Sequence, residues 1–155
     1  MASMLTNDLR DFVQEVVAIM VASRDENLTA HGTRAYGAVV NSEGDQLTFY
    51  INAKAFKNIE QNLLANGQLA LAFGRPTDYR AVQVKGTFLS QREADARDQL
   101  IIERYLLMFA DIVEKLGGNA KPYRALPALP AVAINMRIES VFNQTPGSMT
   151  GESIL

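Results

Sequence analysis

The run Asp78-Tyr79-Arg80-Ala81-Val82-Gln83-Val84-Lys85-Gly86-Thr87-Phe88-Leu89 decides how this chain folds. From Tyr79 onward it alternates, with Ala81, Gln83, Lys85 and Thr87 on one side and Val82, Val84 and Phe88 on the other. A period of two marks a strand with one buried face. Just before it, Arg75-Pro76-Thr77-Asp78 has the composition of a turn, and Gln68 to Gly74 reads as the strand that enters it. Strands joined by so short a connection pair antiparallel.

Working upstream, Asn52 is placed to cap a helix over about Ala53 to Ala65. Phe56, Ile59 and Leu63 share one face of it, and Asn66-Gly67 supplies a left-handed stop. Gln46 to Asn52 is a strand that follows the hairpin loop Asn41-Ser42-Glu43-Gly44-Asp45. Leu28 to Val40 reads as one long extended stretch, where Gly32 and Gly37 permit bends or close backbone approach. Val16 to Ala22 is apolar and rich in β-branched residues, so it reads as a buried strand, preceded by a short helix capped by Asn7.

Downstream, Ser90-Gln91-Arg92-Glu93 fits a capping box that opens a helix to about Leu116. Ile102, Leu106, Phe109, Val113 and Leu116 form its apolar stripe, and Gly117-Gly118-Asn119 ends it. A connection holding Pro122, Pro127 and Pro130 leads to a last strand over about Ala131 to Phe142, then a polar tail from Gln144. Strands joined by hairpins or short helices favour an antiparallel barrel over a doubly wound parallel sheet. The expected fold is mainly β: a six-stranded antiparallel Greek-key split barrel with peripheral helices. Residues 1–155 are expected to form one domain, with 144–155 as an extended tail.

Composition narrows the functions. At 155 residues the chain can bury its own core. No run approaches the ~20 uninterrupted apolar residues of a membrane-spanning helix. The start lacks the basic and apolar segments of a signal peptide, so the expected address is cytoplasmic. A cysteine count of 0 excludes disulfides, thiolate metal sites and a Cys nucleophile. The formal charge of −2 argues against a nucleic-acid partner. Residues 50–90 nevertheless hold Lys54, Lys57, Arg75, Arg80 and Lys85 against Glu60 and Asp78. A basic segment in an acidic chain fits either a solvated face or a small anionic ligand.

Several chemistries lack their motifs. There is no Gly-x-Gly-x-x-Gly, no Walker loop and no Gly-x-Ser-x-Gly elbow. With 1 histidine, His31, no His-paired metal site forms within one chain, and the ring reads as structural or exposed. If the protein is a catalyst, a cofactor supplies the reactivity.

Leu47-Thr48-Phe49-Tyr50-Ile51-Asn52-Ala53-Lys54-Ala55-Phe56-Lys57-Asn58-Ile59-Glu60-Gln61-Asn62 resembles the FMN-phosphate segment of the pyridoxamine 5′-phosphate oxidase superfamily. A strand ends there and a helix opens with basic residues, an arrangement suited to phosphate. Lys57 matches the family's helix lysine and Lys54 lies nearby, whereas Phe56 stands where the family often has arginine. Thr33-Arg34-Ala35-Tyr36-Gly37 is similar to the strand that runs beside the flavin, whose arginine meets the phosphate. Asp78 to Gly86 is similar to the long central strand, with Gln83 and Lys85 carried over by strand face; the family's glutamine position falls on Ala81. Val141 to Gly147, including Gln144, resembles a tail motif of short members.

The resemblance implies a homodimer with FMN in two clefts at the subunit interface. Arg34 and Lys57 would hold the phosphate with help from Lys54. Backbone around Ala35, Tyr36, Gly37, Tyr50 and Ile51 would line the ribityl chain and ring, Gln83 and Lys85 would approach the polar edge, and Phe56 and Gln144 would belong to the same cofactor site. The implied activity is electron or hydride transfer to a small-molecule acceptor. Pyridoxamine phosphate oxidase activity itself is not expected, because the basic C-terminal substrate segment is missing. Two other readings stand beside it: a non-catalytic module holding a flavin or haem, and a dimer whose cofactor site has decayed. Each residue also has a plainer reading: Lys54, Lys57, Gln83 and Lys85 as solvated side chains, Arg34 as an ion-pair partner of Glu26 or Asp45, and Tyr36, Tyr50 and Phe56 as core.

Overall fold

Seven strands, one more than the sequence pattern predicts, form the sheet of the computed structural model, which describes residues 4–155. The order along the chain is α1 (Asn7–Gln14), β1 (Ala18–Arg24), β2 (Ala30–Ala35), β3 (Ala38–Val40), β4 (Gln46–Asn52), α2 (Ala53–Asn66), β5 (Gln68–Gly74), β6 (Ala81–Glu93), α3 (Ala96–Lys115), α4 (Lys121–Arg124) and β7 (Ala131–Asn143). The extra strand comes from the stretch expected as one piece. At Gly37 the backbone takes φ +115°, a conformation that side-chain-bearing residues rarely adopt, and the chain turns there from one partner to another. β2 pairs with β1, and β3 pairs with β4.

All pairings are antiparallel, in the order β2-β1-β5-β6-β7-β4-β3. The ladder does not close. Its two edges, β2 and β3, are consecutive pieces of chain, and the gap is spanned by Tyr36 N–H donating to the Tyr50 carbonyl (2.9 Å) and Tyr50 N–H to the Gly37 carbonyl (3.3 Å). Inside lie Phe12, Leu47, Phe49, Ile51, Leu71, Phe73, Val84, Ile134 and Met136, all fully buried. At roughly 1.5–3 kcal/mol per large apolar side chain, this cluster dominates the stabilisation. Gly86 sits where β6 and β7 shift register; a Cβ there would lie 1.9 Å from the Arg137 carbonyl oxygen.

The helices correct three local expectations. Thr6, not Asn7, caps α1, its hydroxyl accepting from Leu9 N–H (3.3 Å). Ser90 to Glu93 stays in β6, paired with β7 as far as Glu93 opposite Val132. Ladder bonds there outcompete a cap, and the capping box falls to Asp95 and Asp98. The polar tail is not extended: it folds back, with Ile154 N–H on the Val141 carbonyl (2.9 Å) and Gln144 N–H on the Ala81 carbonyl (2.8 Å).

Register also defines an outer face. One row carries Arg34, Met20, Ala72, Gln83 and Phe142; the next carries Gly32, Ala22, Ala70, Lys85 and Ser140. Five of these ten residues, Ala72, Gly32, Ala22, Ala70 and Ser140, are small.

Candidate functional site

Asn52 closes β4 and caps α2, its side-chain oxygen accepting from Lys54 N–H (2.8 Å). The Ala53 amide is taken by the Pro130 carbonyl (2.9 Å). Two of the first amides of α2 are therefore engaged within the chain. Lys54 and Lys57 are exposed on the opening turns, while Phe56 turns inward and is buried with the core. Neither lysine has a partner among the described residues.

The face of α2 toward β2 bears Ala55, Asn58 and Ile59. With Ala30, His31, Gly32 and Thr33 of β2 they line a cleft of about 520 Å³. Asn62, one turn further on, is buried; its Nδ2 donates to Ser23 Oγ (3.0 Å) and to His31 Nδ1 (3.1 Å). Nδ1 is therefore an acceptor, and the neutral ring carries its proton on Nε2.

Strand alternation sends Arg34 to the face opposite His31 and Thr33. Its guanidinium donates to the Tyr123 hydroxyl (2.8 Å) and lies over the Phe109 and Tyr123 rings, 5.4 and 5.3 Å from their centroids. No carboxylate pairs with it among the described residues, and its Nε is buried without a hydrogen-bond partner. Phe109 in turn stacks on Tyr105 at 5.6 Å. Burial raises the phenol pKa of Tyr36 and of Tyr105, with the Arg34 charge pulling the other way. Neither Arg34 nor Lys57 lines the β2–α2 cleft.

The other singled-out residues separate into two groups. Ala35, Gly37 and Ile51 are buried, and Tyr36 is half-buried. Tyr50 is 2% exposed and donates its hydroxyl to Asp98 Oδ1 (2.9 Å). Arg92 grips the same carboxylate in a fork, and the Asp95 amide donates to it (2.9 Å). Burial pushes the Asp98 carboxyl upward, but Arg92, the Asp95 amide and Tyr50 outweigh this and hold it down to about 2. The Tyr50 hydroxyl moves the other way, upward, through burial and then its bond to Asp98. Gln83 and Lys85 lie on the outer face of β6, three strands from β2, with the Lys85 ammonium 4.9 Å from the Phe142 ring centroid. Gln144 lies just beyond β7, with its amide donating to the Ala81 carbonyl (2.8 Å).

Sequence reading passed over Asp98 and Asn62. Both carry a visible signal, a polar residue set into an apolar helical stripe: Asp98 in line with Ile102, Tyr105 and Phe109, and Asn62 beside Ile59 and Leu63. Among the described residues no His, Cys, Asp and Glu cluster could hold a metal, and no helix is long and apolar enough to cross a membrane.

A family model described as pyridoxamine 5′-phosphate oxidase matches residues 5–143. No curated protein sequence matches the chain. Among solved structures, HupZ of Group A Streptococcus is 18% identical with a TM-score of 0.56, covering 96% of this chain and 100% of that one. An FMN-binding protein of Syntrophomonas wolfei is 10% identical with a TM-score of 0.56, covering 88% of this chain and 86% of that one. HutZ, the heme storage protein of Vibrio cholerae, is 17% identical with a TM-score of 0.51, covering 91% and 95%. These likenesses establish the shared fold.

Proposed function

The chain belongs to the pyridoxamine 5′-phosphate oxidase family, whose model spans residues 5–143, and on that premise we propose that it is an FMN-binding homodimer that passes electrons or hydride to a small acceptor. The supporting observation is the buried, unpartnered Nε of Arg34. A guanidinium with no carboxylate beside it and one donor left unused fits an oxyanion such as the FMN phosphate. Lys57 and Lys54 would add positive charge from the start of α2, a neighbourhood that draws an anion.

Gln83 and Lys85 are too far along the sheet to share a cavity with Arg34 in one chain, at ~4.8 Å per strand. Pairing of two outer faces would bring one subunit's Gln83 and Lys85 toward the other's ligand. Small side chains at Ala22, Ala70 and Ala72 allow close approach of two such faces. FMN, when bound, supplies the redox chemistry; the protein's side chains hold it and exclude water.

The test is an absorbance spectrum of freshly purified protein, with mass analysis of any released ligand and light scattering for the dimer. Flavin bands, and FMN affinity lowered about tenfold by Lys57→Ala at low salt, are expected. Colourless protein that ignores added FMN would overturn the reading. A haem spectrum would replace it with the carrier alternative.

A further inference from the structure

Helix α3 is apolar over a wider arc than the core covers. Ile102, Tyr105, Leu106 and Phe109 are buried. Beside them Ile101, Arg104, Met108 and Ile112 recur at helical spacing and form a second row. Ile101 and Ile112 are only half-buried, and Arg104 and Met108 are exposed. With Tyr105 this row lines a cavity of about 480 Å³. Val16 of the α1–β1 junction, Ala38 of β3 and the Pro76–Thr77 turn between β5 and β6 contribute the rest of its apolar surface.

Most polar groups at this cavity are answered within the chain. Gln14 accepts from the Val40 amide through its side-chain oxygen (2.9 Å) and donates from Nε2 to the Arg10 carbonyl (3.1 Å). The Tyr105 hydroxyl donates to the Val17 carbonyl, so its ring is what the cavity meets. Among the described residues Glu15 is the only acid of the lining, and both its oxygens accept from Arg75 (3.1 and 3.2 Å). Arg75 also donates to Asp78 (2.8 Å). Arg104 stands apart. It borders the same space, yet among the described residues it has neither a carboxylate nor any hydrogen-bond acceptor beside it. The Thr77 hydroxyl is unused in the same way.

Apolar walls with one unpaired guanidinium at the rim are complementary to an apolar body that ends in a single negative charge. The planar fork of arginine matches the two oxygens of a carboxylate. We infer that this cavity binds a small amphipathic carboxylate, its hydrocarbon part against Val16, Ile101, Met108 and Ile112 and its carboxylate on Arg104. At about 480 Å³ it has room for a short chain or one ring. Of the residues assigned to the flavin, Gly37 alone borders it; Arg34, Lys54 and Lys57 do not. The inference goes beyond the flavin reading and does not rest on it.

Octanoate is the probe, titrated by calorimetry into the purified protein at constant pH and salt. One molecule should bind per chain, and acetate, which has the charge without the tail, should not compete. Octanol, the same tail without the charge, should bind about fivefold more weakly, the scale of an ion pair at a solvent-facing rim. Shortening the acid should cost about fourfold in affinity for each methylene removed. Arg104→Gln should weaken octanoate about fivefold and leave octanol unchanged, a split that a merely structural arginine would not produce. Met108→Glu sets a carboxylate one turn from Arg104 and should abolish octanoate binding. Both positions are exposed, and circular dichroism checks that each variant is folded. Equal affinities for octanoate and octanol, or an octanoate affinity unchanged in Arg104→Gln, would overturn the site. Octanoate that gives no saturable heat would do the same and leave the cavity to a protein partner. Flavin is read separately by absorbance: octanoate binding without FMN keeps this inference and loses the flavin reading, and FMN binding without octanoate does the reverse.

Discussion

Two buried polar assemblies of similar size are built in opposite ways. Around Asp98 every group is answered: Tyr50, Arg92 and the Asp95 amide all meet the carboxylate, and Asp95 accepts the Asp98 amide in return (2.9 Å). Around Asn62 the chain of bonds runs from Ser23 to His31 and stops at a ring nitrogen facing a cleft. A closed network holds structure together, tying the start of α3 to β4 and the end of β6. An open one leaves donors pointed at whatever enters. The family resemblance selects Tyr50 as a ligand residue and bypasses His31; the bonding pattern weighs the two in the other order.

If that distinction is sound, the closed network is where mutation costs most stability. Asp98→Ala removes the capping partner of Asp95 and strands the buried Tyr50 hydroxyl. The lost return bond of the capping box, the lost fork to Arg92 and one orphaned buried donor together predict a destabilisation of about 2–4 kcal/mol, read from urea unfolding. Asp98→Asn keeps an acceptor for Tyr50 and should recover part of it. A loss below about 0.5 kcal/mol for Asp98→Ala would mean the network is decoration.

Acid provides the same test without a mutation. The Asp98 carboxyl sits near 2 in the folded protein, below its unfolded value of about 3.9. A depressed carboxyl stabilises the fold fully above about pH 4, and that contribution drains away as the pH falls toward 2, by on the order of 2 kcal/mol. Asp98→Asn should flatten this part of the stability profile. An unchanged slope in the variant would assign the acid sensitivity to other carboxylates.

How much of this was legible in the sequence follows from where the signals are local. β4, α2 and β5 emerge within a residue of expectation because cap, stripe and alternation agree with one another there. Ser90 to Glu93 misleads because its local capping signal competes with a ladder to β7 that only tertiary pairing reveals. Arg34 was legible as a residue of interest, but its aromatic box was not, since Phe109 and Tyr123 lie far away in sequence and reach it through the packing of α3 and α4. Lys57 and Lys54 are where the helix start puts them. The Ser23–Asn62–His31 relay spans three elements, and only the odd placement of Asn62 in an apolar stripe hinted at it.

The smallest expected effect lies in the open assembly and separates it most cleanly from the closed one. Ser23→Ala deletes one acceptor from Asn62, yet the Asn62 amide still has His31 Nδ1 to donate to, so no buried donor is fully stranded. The stability change should be about 1 kcal/mol or less. What should change instead is the ring: with Asn62 held by one bond rather than two, the imidazole loses part of its orientation. Its nitrogen resonances should move away from the pattern of a proton fixed on Nε2. A Ser23→Ala variant that loses several kcal/mol but keeps the tautomer pattern would place the relay with the structural network after all, and leave His31 as a ring held for packing rather than for a ligand.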